Sequence, residues 1–291
     1  MQLAGIDLER LSARLPERPL TRFAPAPTGW LHLGHVLNAD FVWSLARALD
    51  GRVLLRIEDH DRERSRPEFE AGILDDLDWL GFKPDIFSPA EFRAGASEGR
   101  QSDRAPVYQA ALAILQSKGL VYACACTRRT IAPAAEEGRE RRYPGTCRAR
   151  ALPLDGDHTW RVRLDASLEA FDDGLLGRQT QAPAGQCGDI VVRDRRGNWT
   201  YQFAVTVDDW QQGIDLVVRG TDLLSSTGRQ IQLGRLLGRE RPPLFVHHPL
   251  IVKPTGRKLS KSDRDTGVRD LRRAGSTPAQ VLALARRSVG M

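Results

Sequence analysis

Apolar positions in the first eighty residues switch between two periods. Leu20 to Phe23 fits the end of a buried strand, and from about Gly34 the residues Val36, Leu37, Val42, Leu45, Ala46 and Leu49 recur at helical spacing until Gly51. Val53 to Glu58 then reads as a second strand, apolar enough to be central in a parallel sheet. Ser65-Arg66-Pro67-Glu68 fits a capping box, and Phe69, Ile73, Leu77 and Leu80 line one face of a helix that Gly81 ends. Strand, helix, strand, helix predicts half of a Rossmann-like α/β fold.

A further amphipathic helix is expected over about 103–117, with Tyr108, Ala111, Leu112 and Leu115 inward. From 151 to 186 the periodicity is poor, and Trp160 to Leu164 is the best strand. The α/β pattern resumes at Asp189 to Arg193. A turn at Arg196-Gly197-Asn198 predicts a hairpin with a strand over Trp199 to Val205. Leu216 to Arg219 and Leu244 to His247 read as strands, with a helix from about Ser226 to Leu237 between them. Residues 263–291 read as mostly one arginine-rich helical stretch.

The stretch Ala24 to His35, Ala-Pro-Ala-Pro-Thr-Gly-Trp-Leu-His-Leu-Gly-His, joins the first strand to the first helix. The prolines stop the strand and Thr28-Gly29 supplies a turn. A strand-turn-helix junction aims backbone N–H groups and a helix dipole at an anion. His32 and His35 add side-chain donors there, and Gly34 leaves room for a ligand against the backbone. The glycine pattern of a P-loop or dinucleotide fingerprint is absent. Taken alone, the four residues from His32 to His35 also fit two polar groups closing a helix end. Glu58-Asp59-His60-Asp61 forms a second polar cluster at a strand's carboxyl end, where doubly wound sheets bind ligands.

Composition changes this picture only in places. Hydrophobic content of 41% and charged content of 27% are ordinary for a globular chain of 291 residues. A net charge of +6 and a pI near 9.4 favour an anionic partner such as nucleic acid, without deciding for one. Residues 1–18 mix Asp7, Glu9, Arg10, Arg14 and Arg18 into their leucines, unlike a signal peptide, and no apolar stretch is long enough to cross a bilayer. The expected location is the cytoplasm, with no membrane partner. Four cysteines, two of them in Cys124-Ala125-Cys126, do not form a secreted disulfide framework and point to metal ligands, with buried structural thiols as the rival reading. Only five of the 43 Lys and Arg positions are lysine, and three of those are Lys253, Lys258 and Lys261. A mobile point charge suits a pyrophosphate that must be gripped and released, whereas guanidinium would not substitute freely.

His32-Leu33-Gly34-His35 resembles the His-x-Gly-His signature of class I aminoacyl-tRNA synthetases, and Lys258-Leu259-Ser260-Lys261-Ser262 is similar to their Lys-Met-Ser-Lys-Ser loop, with Leu259 for methionine. Arg22 to Gly29, Arg56-Ile57-Glu58-Asp59, the Tyr201 segment and Val218-Arg219-Gly220-Thr221-Asp222 extend the likeness. It runs from about Arg22 to Ser262 and is to the glutamyl-tRNA synthetase core. The resemblance implies a doubly wound, Rossmann-like parallel sheet with a zinc-containing insertion and a short helical C-terminus. Its expected divisions are an N-terminal extension (1–19), a first catalytic half (20–100), the insertion (101–188), a second half (189–253), and the lysine loop with its helical tail (254–291).

The same resemblance implies roles. Arg22, Phe23, Ala24, Pro25, Ala26, Glu58, Tyr201 and Arg219 would contact L-glutamate. His32, Gly34, His35 and Lys261 would bind ATP, accompanied by Mg²⁺, with His32, His35, Lys258 and Lys261 catalytic. Ala26 stands where serine is frequent in relatives. A guanidinium for the side-chain carboxylate and an acid for the ammonium suit this substrate. Cys124, Cys126, Tyr143 and Cys147 would hold a structural Zn²⁺, with Cys187, His158 or water as alternatives to Tyr143.

Only residues 263–291 follow the loop, leaving no room for the family's helical anticodon-binding region. The expectation is therefore the truncated branch of the family, a monomer. It would activate glutamate without tRNA and transfer it to queuosine at the wobble position of tRNA(Asp). The alternatives are a truncated enzyme charging a tRNA 3′ end, another His-x-Gly-His nucleotidyl transferase, or a non-catalytic RNA-binding paralogue.

Overall fold

The structure, a computed structural model, describes residues 5–127, 129–131, 141–252 and 267–291. A short helix α1 (Leu8–Ser12) leads into strand β1 (Leu20–Phe23), helix α2 (Leu33–Ala48) and strand β2 (Arg52–Leu55). Helices α3 (Pro67–Leu80), α4 (Pro89–Ala94) and α5 (Ala105–Ser117) follow, then β3 (Val121–Cys124) and β4 (Thr159–Val162). A hairpin β5 (Glu169–Asp173) and β6 (Gly177–Gln181) precedes α6 (Pro183–Gln186), β7 (Ile190–Arg193) and α7 (Tyr201–Gln211). The described chain closes with β8 (Leu216–Gly220), α8 (Thr227–Leu237), β9 (Leu244–His248), α9 (Val268–Arg273) and α10 (Pro278–Arg287).

Six strands form one sheet in the order β2-β1-β8-β9-β5-β6, and three form a second in the order β3-β4-β7. Within the large sheet β2, β1, β8, β9 and β5 pair in parallel, and β6 runs antiparallel to β5. The α/β class and the parallel sheet are as the sequence predicts. After β2 the chain leaves this end of the sheet, and β8, which follows β5 and β6 in sequence, pairs on the other side of β1. That reversal is a switch point, and a crevice opens at the carboxyl ends of β1 and β8. The core beneath it joins Phe23, Leu37, Val42, Leu45 and Leu55 with Val218 and Val246. A second core, under the small sheet, gathers Tyr108, Leu112, Val162, Val192, Phe203 and Leu233.

Several expectations are corrected. The second strand is an edge strand of the sheet; its apolar outer side is covered by Ile86, whose N–H and carbonyl bond Val53 and Leu55. The segment 199–205 is no strand. The turn is there, with Arg193 bridging to Trp199, but Thr200 donates through its hydroxyl to the Val191 carbonyl (2.5 Å) and the chain winds into α7. Residues Phe203 to Asp209 are all buried, so the apolar run carries no period that separates strand from buried helix. Ser65 does not cap α3: Arg66 is the N-cap without a side-chain bond, and Pro67 at the first turn sets the start instead. From residues 101–188, β5 pairs with β9 in the large sheet and β4 pairs with β7 in the small one. The C-terminal stretch is two helices broken at Gly275, not one. Among the described residues no helix is long and apolar enough to cross a membrane.

Helix α3 carries one strained charge. Asp76 is buried and its Oδ2 lacks a hydrogen-bond partner. Burial pushes its carboxyl up to about 6, against the opposing pull of Arg272 and Arg269 on α9. A carboxyl raised above its ordinary value of 3.8 favours the fold below that pH and withdraws the contribution as pH rises through about 6. Asp76→Asn is therefore expected to have a higher urea midpoint than the parent at about pH 7.5 and to lose that advantage by about pH 4. An advantage of equal size at both pH values would show that the charge is not its source.

Candidate functional site

At the switch point a cavity of about 510 Å³ is lined by Arg22, Ala24, Pro25 and Ala26 after β1, by His32, Gly34 and His35 at the start of α2, and by Glu58, Tyr201 and Arg219. These ten sequence-predicted residues therefore share one space. Phe23 does not reach it: its ring is in the core, 5.5 Å from that of Trp43.

The histidines are set by the backbone. His32 is the N-cap of α2; its Nδ1 accepts from Gly34 N–H (3.1 Å), and His35 Nδ1 accepts from His32 N–H (3.2 Å). With both Nδ1 atoms accepting, the neutral rings carry their protons on Nε2, as donors. The two rings lie 4.0 Å apart. A Cβ on Gly34 would stand 2.9 Å from His32 Cε1, so glycine keeps this arrangement open. The lysine loop, with Lys258 and Lys261, lies outside the described residues. Its described flanks meet the histidines: Leu250 and Ile251 line the cavity, and Gly267 bridges to His32.

Charges below the cavity are paired with care. Arg56, with no exposure, sits 2.9 Å from Asp209, 3.0 Å from Glu58 and 3.8 Å from Asp208. Burial works against its charge, but Asp209, Glu58 and Asp208 together hold it further into the cationic form. Arg22 donates from Nε to Asp209 (3.1 Å) and from Nη1 to the Val218 carbonyl (3.3 Å). Although burial opposes it, Arg22 and Arg56 keep the Asp209 carboxyl below its usual range. Arg104 and Tyr108 hold Asp208 from the other side. Arg219, equally buried, has no carboxylate partner among the described residues and bonds only His247, Gln230 and Thr227. A buried guanidinium given neutral partners at the edge of a cavity is a receptor for an anion. Burial and the Glu58 charge raise the Tyr201 pKa, which keeps its hydroxyl protonated as a donor.

The family model described as "tRNA synthetases class I (E and Q), catalytic domain" matches residues 20–291. The glutamyl-Q tRNA(Asp) synthetase of Nitratidesulfovibrio vulgaris is 41% identical over 93% of this chain and 86% of its own length. That of Ralstonia nicotianae is 42% identical over 100% of this chain and 91% of its own. The chain belongs to the glutamyl-Q tRNA(Asp) synthetase family. As a member it is a ligase of the class I aminoacyl-tRNA synthetase type. Among solved structures, the glutamate-tRNA synthetase of Elizabethkingia anophelis has a TM-score of 0.71 at 28% identity over 89% of this chain. The chain spans about half of that protein, 54% of its length.

A second site lies in the small sheet. The sulfurs of Cys124, Cys126 and Cys147 all lie within 4.8 Å of one another. The Tyr143 hydroxyl is 3.4 Å from Cys124 Sγ and accepts from Cys147 N–H (2.9 Å). Gly188, at φ +68°, lets this segment pass close under the Tyr143 carbonyl, where a Cβ would collide. Three convergent thiols suit a tetrahedral metal ion, and the Tyr143 hydroxyl lies beside them. Of the alternatives, Cys187 turns its sulfur to the carbonyls of Pro183 and Gly188, and His158 pairs with Asp155; neither joins the sulfur group.

Sequence reading missed Asn38 and His248, which line the cavity bonded to each other at 3.0 Å, and the pair Asp173 and His247 behind Arg219. Two adjacent histidines at the end of an apolar strand were the available signal. Removing the central cation of the buried network should be costly. Arg56→Met leaves three carboxylates without it and is expected to lower the unfolding free energy by about 3 to 5 kcal/mol in a urea titration. A change below about 1 kcal/mol would show that the network does not depend on Arg56.

Proposed function

We propose that the protein activates L-glutamate with ATP to glutamyl-adenylate without needing tRNA, then transfers the glutamyl group to queuosine at the wobble position of tRNA(Asp). The observation that supports this best is the single cavity that joins two donor histidines to Arg22, Glu58, Tyr201 and Arg219. The relatives' names agree with it. The guanidiniums of Arg22 and Arg219 would take the substrate's carboxylates, and Glu58 its ammonium.

In the first step an oxygen of the glutamate α-carboxylate bonds the α-phosphorus, and the bond from that phosphorus to the bridging oxygen breaks, releasing pyrophosphate. The nucleophile is already ionised, so no general base is needed and catalysis comes from positioning and charge stabilisation. The Nε2–H groups of His32 and His35 would donate to phosphate oxygens of MgATP, and Lys258 and Lys261 would hold the departing pyrophosphate. In the second step a hydroxyl oxygen of the queuosine cyclopentenediol bonds the activated carbonyl carbon, the bond from that carbon to the phosphate oxygen breaks, and AMP leaves with the hydroxyl proton passed to its phosphate. The reaction would take place in the cytoplasm, on a monomer.

The cysteine cluster is proposed to hold Zn²⁺ through Cys124, Cys126, Cys147 and Tyr143. The ion would tie β3 to the segment of Tyr143 and Cys147 and take no part in the chemistry.

The deciding experiment offers labelled glutamate to tRNA(Asp) with and without queuosine and maps the label by nuclease digestion. Label on the anticodon fragment of the modified tRNA alone is expected; label at a 3′ end would sink the proposal. Lys261→Ala should lower ATP–pyrophosphate exchange by about a hundredfold or more without changing the melting temperature. Stripping metal with a strong chelator should release about one Zn²⁺ per chain and reduce transfer more than activation. Release of no zinc would remove that assignment.

A further inference from the structure

Behind Arg219 stands a buried relay that the reaction as written does not use. The hairpin strand β5 brings Asp173 against β9, where its Oδ2 lies 2.6 Å from His247 Nδ1. The His247 Nε2 in turn lies 3.1 Å from Arg219 Nε and 3.2 Å from Thr227 Oγ1. Asp173 and His247 have essentially no exposed side-chain surface.

The hydrogen bonds fix the protons. Arg219 can only donate, so His247 Nε2 must accept, and the ring proton must be on Nδ1, given to Asp173. The other oxygen of Asp173 accepts from the N–H groups of Leu175 and Leu176, each at 3.0 Å, and of His247 at 3.3 Å. The carboxylate thus cannot turn to offer anything else. Burial lowers the His247 pKa, Asp173 opposes this, and Arg219 adds to it, so the ring is neutral at neutral pH. Were Nε2 protonated, two donors would face each other across 3.1 Å. Arg219 also gives one N–H from each terminal nitrogen, to Gln230 Oε1 (2.7 Å) and Thr227 Oγ1 (2.9 Å). One N–H remains on each terminal nitrogen for a ligand's oxygen.

Neutral acceptors matter here. An acid in the place of His247 would neutralise Arg219 and repel an incoming carboxylate, whereas a neutral imidazole orients the guanidinium and leaves its charge to the ligand. We propose that His247, held in one tautomer by Asp173, is a positioning residue that sets the Arg219 guanidinium for a substrate carboxylate. The role rests on reading the cavity as a site for an acidic amino acid.

Asp173→Asn tests it. The oxygen held by three N–H groups stays an oxygen, so the new amide donates to His247 Nδ1 and drives the ring proton to Nε2, against Arg219. In ATP–pyrophosphate exchange by the whole chain, Asp173→Asn and His247→Leu should raise KM for glutamate by about 10- to 100-fold, with KM for ATP within about twofold. His247→Gln, whose oxygen can accept from Arg219 while its amide donates to Asp173, should keep KM for glutamate within about threefold of the parent.

An unchanged KM for glutamate in Asp173→Asn or His247→Leu overturns the proposal, as does a His247→Gln loss equal to that of His247→Leu. For any variant that does not fold, the parent itself decides. Nitrogen-15 spectra of labelled histidine should show His247 protonated on Nδ1 alone from about pH 6 to 8, and an Nε2 proton overturns the role. A parent with no glutamate-dependent exchange would remove the reading of the cavity itself; an active parent with insensitive variants removes only the role of His247.

Discussion

The site depends on the ion cluster around Arg56. A cation with no exposure would be prohibitive alone, and it is tolerated because Glu58, Asp208 and Asp209 converge on it from β2's continuation and from α7. The cluster fixes the distance between the large sheet and α7. It also fixes the two groups that face the cavity, Glu58 through Arg56 and Arg22 through Asp209. Well-packed apolar residues could hold the same elements together, but they could not present one carboxylate and one guanidinium to a ligand at a set spacing.

Topology does the rest. The return of the chain beside β1 as β8 leaves two strand ends that point at the same opening, one followed by the histidine turn and the other ending in Arg219. The hairpin β5–β6 extends the same sheet on the far side of β9 and so places Asp173 behind His247, a contact that spans 74 residues of chain.

Much of this was legible in the residues. The helices α2 and α3 carry clear periods and clear stops, and the motif residues Arg22, Glu58, His32, His35 and Arg219 sit where a parallel sheet delivers them. What was not legible has physical causes. Tyr201 was placed on a strand because the segment from Phe203 to Asp209 is buried all round, and full burial erases the period by which helix and strand are told apart. The allocation of β5 to the large sheet rests on a single long-range pairing, Asp173 with Phe245, which no local pattern encodes. Asp173 and His247 each look ordinary in their own segments, and only their meeting gives them a role. Lys258 and Lys261, proposed to hold the departing pyrophosphate, fall outside the described residues.

The order of strands has one more effect, on how copies of the chain treat one another. Where β2 borders solvent, the Ile86 segment already occupies its hydrogen-bonding groups. The opposite border, β6, pairs with β5 on one side, and its other side carries Arg178, Gln179 and Thr180 over a run of five residues. A short, polar rim gives an unfolded or neighbouring strand little to zip onto. Resistance to sheet-to-sheet aggregation is thus built into the same hairpin that reaches inward to the histidine.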